Sequence, residues 1–96
     1  DEIDRGVGGA VASAIGERLA RLAQRAQLLV VTHSPQVAAR GDRHLLIAKS
    51  SDGVVTRTGV RALDTGERRE EIARMLSGAT VTDEARAQAE RLLESV

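Results

Sequence analysis

Apolar and polar positions along this chain change period several times, and each change marks an element. Val11, Ile15, Leu19 and Leu22 recur at helical spacing, which predicts a helix over 8–24 with Glu17, Arg18, Arg21 and Gln24 on its other side. Leu28-Leu29-Val30-Val31 is unbroken and apolar, and it predicts a strand over 27–32 covered on both faces, as in a parallel sheet under helices. Ser34-Pro35 stops that strand, and Pro35 suits the first turn of a short helix over 35–39. After a turn at Arg40-Gly41-Asp42, residues 44–49 and 54–60 read as two strands joined by Ser51-Asp52-Gly53, with Asp-Gly favouring a hairpin. A loop over 63–66 precedes a helix over 67–77 with Ile72, Met75 and Leu76 inward and Gly78 just past its end. Thr82 is placed to cap a last helix through 95, with Ala85, Ala89, Leu92 and Val96 on one face. The order predicts an α/β half-sheet with a hairpin and closing helices, in one domain over 1–96.

Composition narrows this picture. Phe, Tyr and Trp are absent, so the core is Leu, Val, Ile, Ala and one Met. It lacks the roughly 150–250 Å² that each aromatic buries. At 96 residues a chain buries only about 60–65% of its unfolded surface, so a lobe that completes its core against another segment is expected. The start at Asp1 without Met points the same way, to a piece of a longer protein. Fourteen basic and fourteen acidic residues cancel, so no strongly basic nucleic-acid face is evident. With no cysteine there is no disulfide framework, which fits a cytoplasmic setting. No apolar run approaches the ~18 residues of a membrane span, so no membrane contact is expected.

The chemistry-bearing residues fall in two places. Asp1 and Glu2 are adjacent acids followed by Asp4 and by Gly6, Gly8 and Gly9, which let the backbone turn sharply into the first helix. A nucleotide hydrolase needs one carboxylate for the water shell of Mg²⁺ and a second group to orient the attacking water. The plainer reading is a solvated acidic pair and a flexible loop. His33 directly follows the buried-strand pattern, where ligands of open α/β sheets bind. There an imidazole can hydrogen-bond a phosphate oxygen, or it can simply cap the turn at Pro35. His44 reads as a surface residue, Arg5 as a solvated charge, and Glu67-Arg68-Arg69-Glu70-Glu71 as a solvated helix face with i,i+3 and i,i+4 pairs. No G-x-x-x-x-G-K-[ST] phosphate loop occurs in the 96 residues.

Three strings together resemble the closing segment of the RecN family of bacterial DNA repair ATPases. They are Asp1-Glu2-Ile3-Asp4-Arg5-Gly6-Val7-Gly8-Gly9, Val30-Val31-Thr32-His33-Ser34-Pro35-Gln36-Val37-Ala38, and Glu70-Glu71-Ile72-Ala73-Arg74-Met75-Leu76-Ser77-Gly78 with Val81-Thr82. The resemblance covers essentially the whole chain, and its Thr-His-x-Pro-Gln-Val-Ala string is specific. It implies the C-terminal lobe of a P-loop ATPase head of the ABC and structural-maintenance-of-chromosomes type. In that lobe Asp1 would be the Walker B aspartate serving Mg²⁺, and Glu2 the catalytic glutamate. Asp4, Gly6, Gly8 and Gly9 would form the D-loop beside ATP, and His33 would be the switch histidine. The Walker A lysine, Q-loop, signature motif and coiled coil have no counterpart here. The implied partners are the N-terminal lobe of the same head, a second head in a homodimer, and DNA through the intact protein. The implied setting is the cytoplasm, in association with the nucleoid. Two alternatives are a non-catalytic interaction module, in which the acids and His33 are incidental, and the head of another chromosome-maintenance ATPase.

Overall fold

A computed structural model describes residues 9–51, 53, 56–78 and 80–94. Four helices and one hairpin follow in the order α1 (Gly9–Ala23), α2 (Pro35–Ala38), β1 (Leu45–Ser51), β2 (Thr56–Ala62), α3 (Thr65–Ser77) and α4 (Asp83–Glu94). The chain is therefore α/β, and the sheet among the described residues is the antiparallel pair β1–β2. Its register runs from Leu45 opposite Ala62 to Ser51 opposite Thr56. Gly53 in the connection holds φ at +93°, a backbone region that favours glycine at the predicted Asp-Gly turn. Residues 54 and 55 of the expected second strand lie outside the described residues.

Small residues make the core. Ala39, Ile72, Ala73, Ala85 and Ala89 form one buried cluster, with Met75, Leu76, Val81, Leu92 and Leu93 packed against it. Ile72 and Ala73 on α3 meet Ala85 and Ala89 on α4, because alanines let the two helix axes approach closely. α3 starts two residues earlier than predicted. Asp64 accepts a hydrogen bond from Glu67 N at 2.8 Å, and Glu67 Oε1 accepts one from Asp64 N at 3.1 Å. This reciprocal capping box satisfies two amide groups that the helix itself leaves without partners. Gly78 ends α3 at φ +84° and donates from its N–H to Arg74 O. Thr82 caps α4 as expected, accepting from Ala85 N at 3.1 Å.

Two expectations fail. Residues 27–32 are neither helix nor strand, and no ladder hydrogen bond to them is formed among the described residues. Leu29 is 84% exposed, and Leu28 and Val31 are exposed beside it. The parallel portion of the sheet is accordingly not formed by the described residues. On α1, Ala12 and Gly16 are the buried positions, whereas Val11 and Leu22 of the predicted inner stripe are more than half exposed. A shallow open cavity of about 280 Å³ runs along that stripe, lined by Val11, Ala14, Ile15, Arg18 and Leu19. The helix was correctly periodic, but its small-residue face packs within this chain and its large apolar face does not.

Candidate functional site

Of the residues assigned to chemistry, Asp1, Glu2, Asp4, Gly6 and Gly8 lie outside the described residues. Gly9 and His33 lie within them. Gly9 opens α1, and a methyl group added there would sit 3.4 Å from Gln36 Nε2. Gly16, two turns on, is closer still: a methyl would meet Arg40 Cγ at 2.9 Å, Gln36 O at 3.2 Å and Val37 Cα at 3.4 Å. Glycine is therefore required where α1 crosses α2. The crossing brings Gly9, the last glycine of the run, against the helix that follows His33.

His33 is exposed on a three-residue bend whose geometry is fixed on both sides. Ser34 N donates to Thr32 Oγ1 at 2.9 Å. Ser34 holds an extended backbone, and its Oγ caps α2 by accepting from Val37 N at 3.3 Å. The same hydroxyl donates to Gln36 Oε1 at 3.1 Å. The cap of the turn at Pro35 is thus Ser34, not His33. The imidazole is carried, exposed, at the end of the apolar segment and at the start of a held helix. An accessible imidazole on a fixed backbone fits a phosphate oxygen arriving from outside the chain. Among the described residues no group of three His, Asp or Glu side chains is placed to hold a metal ion. Asp1, assigned to Mg²⁺, and Glu2, assigned to the attacking water, are outside that set.

Sequence reasoning missed a polar cluster behind α2. Arg68 on α3 donates from Nη2 to Ala38 O at 3.2 Å, to Ala39 O at 3.0 Å and to Gly41 O. These carbonyls end α2, where a cation also complements the helix dipole. Burial lowers the pKa of Arg68, and the charge of Asp42 opposes that shift. His44 is half-buried rather than a surface residue. Its pKa is lowered by burial and by the charge of Arg68, against a raising influence from Glu71. The Nδ1 of His44 and the Nε of Arg68 are buried without hydrogen-bond partners. Glu71 is buried and accepts from Arg74 Nε at 2.6 Å, which raises the Arg74 pKa.

The charged run on α3 therefore ties elements together instead of only facing solvent. Arg61 of the hairpin pairs with Glu67, Arg69 pairs with Glu90 at 3.0 Å, and Arg86 pairs with Glu70 at 2.9 Å. Two sequence signals point to this. Asp64-x-x-Glu67 marks a capping box and so starts the helix at Thr65. Arg68 then falls one turn before Ile72 on the inner stripe, where a charge requires a partner. Among the described residues no helix is long and apolar enough to cross a membrane.

No family model matches the chain. Curated relatives do match it, and they are DNA repair proteins by name. DNA repair protein RecN of Streptomyces coelicolor is 58% identical over 95 residues, a stretch that is 99% of this chain and 17% of that protein. RecN of Mycobacterium bovis is 52% identical over 96 residues, covering 99% and 16%. RecN of Rickettsia felis is 47% identical over 93 residues, covering 97% and 17%. The chain thus spans about a sixth of the length of the relatives it matches. It belongs to the RecN family, as a segment of that protein.

Proposed function

We propose that this chain is the C-terminal lobe of the ATP-hydrolysing head of a RecN-type DNA repair protein. It supplies the Walker B acids, the D-loop and the switch histidine to an SMC-like, ABC-type site. The observation that carries this reading is the apolar segment Leu28–Val31, exposed at Leu28, Leu29 and Val31 and without a strand partner among the described residues, leading through Thr32 into His33. Such a segment suits a place in a larger sheet whose other strands come from the N-terminal lobe, with His33 at the ligand-binding end. The exposed stripe of α1 supports the same partner. Relatives named DNA repair protein RecN, at 45–58% identity over nearly the whole chain, support the family membership from which these roles are carried over.

In this reading Asp1 holds the water shell of Mg²⁺, and Glu2 orients and polarises the attacking water. Asp4, Gly6, Gly8 and Gly9 bring the backbone close to the nucleotide and to a second head across a homodimer. His33 hydrogen-bonds the terminal phosphate. Bound Mg²⁺ supplies charge neutralisation to the phosphate oxygens of ATP. DNA is engaged by the intact protein, in the nucleoid-associated cytoplasm. The neutral charge of this segment assigns no DNA face to it.

The test is ATP hydrolysis by this chain alone and after mixing with the separately expressed N-terminal lobe. Hydrolysis that appears only on mixing and is lost in Glu2→Gln is the expected result. A folded, assembled pair without activity overturns the reading and leaves an interaction module in its place.

A further inference from the structure

His33 stands one residue before a helix of only four residues, α2. So short a helix has almost no stability of its own, since a single turn fixes several backbone angles for very few hydrogen bonds. Its internal bonds are few: Ala38 N to Ser34 O and Ala39 N to Pro35 O, both at 2.9 Å. What holds it comes from outside. On one side α1 presses against it at Gly9 and Gly16. On the other side Arg68 gathers the carbonyls of Ala38, Ala39 and Gly41 onto one guanidinium nitrogen. These carbonyls lie five to eight residues after His33, on the same rigid turn that Ser34 begins.

We propose that Arg68 is a positioning residue for His33: by clamping the C-terminal end of α2 to α3, it fixes the direction in which the preceding bend presents the imidazole. This rests on the ATPase reading above, in which His33 meets the terminal phosphate. The described hydrogen bonds of Arg68 go to main-chain carbonyls and not to His33, so it acts through the backbone at the end of α2. Two features favour a positioning role over general stabilisation. Arg68 donates to the main chain of one small element and is in none of the described side-chain ion pairs that join α3 to α4. Its Nε also stays buried without a partner, a cost retained at this position.

The experiment measures ATP turnover by the full-length parent protein in wild type, Arg68→Met, Arg68→Lys, His33→Ala and the double variant Arg68→Met/His33→Ala, with a melting curve for each. Arg68→Met should lower kcat about tenfold with KM within about twofold of wild type. Arg68→Lys should recover most of that loss, because an ammonium still reaches the carbonyls. The double variant should turn over within about twofold of His33→Ala, because a misplaced imidazole and a missing one are equivalent. Wild-type kcat in Arg68→Met, beside an impaired His33→Ala, overturns this inference and leaves the ATPase reading intact. Losses that multiply in the double variant overturn it too. Wild-type kcat in His33→Ala overturns the switch role on which it rests. Should Arg68→Met melt below the assay temperature, Arg68→Gln is scored in the same way, since its amide is polar enough for the site but its stem, two bonds shorter than that of arginine, does not reach the carbonyls that Arg68 gathers.

Discussion

Replacing Ile72 with alanine probes the core where it has least to spare. Ile72 is fully buried and is the largest side chain in that state among the described residues. Alanine removes three carbons, about 2.4 kcal/mol at about 0.8 kcal/mol per buried carbon. A cavity term adds to this whenever neighbours cannot close the gap, and large-to-small core changes of this kind cost about 2–5 kcal/mol in all. The cluster around Ile72 includes Ala39, Ala73, Ala85 and Ala89, none of which has a side chain long enough to swing inward. The expected loss is therefore about 3–4 kcal/mol. A 96-residue chain at about 0.05–0.15 kcal/mol per residue holds about 5–14 kcal/mol in total. Urea unfolding followed by far-UV circular dichroism should show a large fall in midpoint at unchanged slope, and the thermal midpoint should drop by roughly 12–30 °C. Ile72→Val removes one carbon and should cost about 1 kcal/mol. A loss below about 1 kcal/mol for Ile72→Ala, or equal losses for valine and alanine, would refute the view that Ile72 fills a space its neighbours cannot.

Two further outcomes follow from the site and its surroundings. Because burial holds the pKa of His44 below its ordinary value of 6.5, the unfolded chain takes up its proton first. Stability should therefore fall as pH drops from 6.5 toward the folded value, and His44→Gln should flatten that stretch of the denaturation-versus-pH curve; an unchanged slope in His44→Gln would count against the burial of Nδ1. The paired carboxylate of Glu67, held low by Arg61, acts in a separate window below 4.5. Leu29→Ser should leave the isolated chain within about 0.5 kcal/mol of wild type, since Leu29 is exposed, yet weaken capture of the N-terminal lobe in a pull-down titration. A loss above 1 kcal/mol in the isolated chain would mean that the segment is already packed.

Local signals in the sequence were sufficient wherever an element is stabilised from within. Thr82, Gly78, Pro35 and Asp52-Gly53 each act on the backbone within a few residues, and each element they mark is present. The segment over 27–32 differs because a strand exists only beside another strand, and apolar content alone does not supply one. The face of α1 was misjudged for a related reason. Large apolar residues were expected to lie inward, but Gly9, Ala12 and Gly16 decide the packing by permitting close approach to α2. At the site, His33 was legible because it ends an apolar run. Arg68 was not, because five charged residues in a row look alike until Asp64 fixes where the helix begins and hence which one turns inward. Arg68 meets Ala38, Ala39 and His44 across 24 to 30 positions of sequence, a distance no local pattern spans.

The open segment over 27–32 also bears on how this chain behaves in solution. Its amide and carbonyl groups project without ladder partners among the described residues, and four consecutive aliphatic side chains flank them. A second copy of the same segment could satisfy those groups as readily as a neighbouring lobe, because backbone pairing does not discriminate between chains. No proline interrupts the run and no charge lies within Leu28–Val31 to repel a partner. Concentrated preparations made without the covering lobe should accordingly self-associate along this edge, and solubility should rise when the two lobes are produced together.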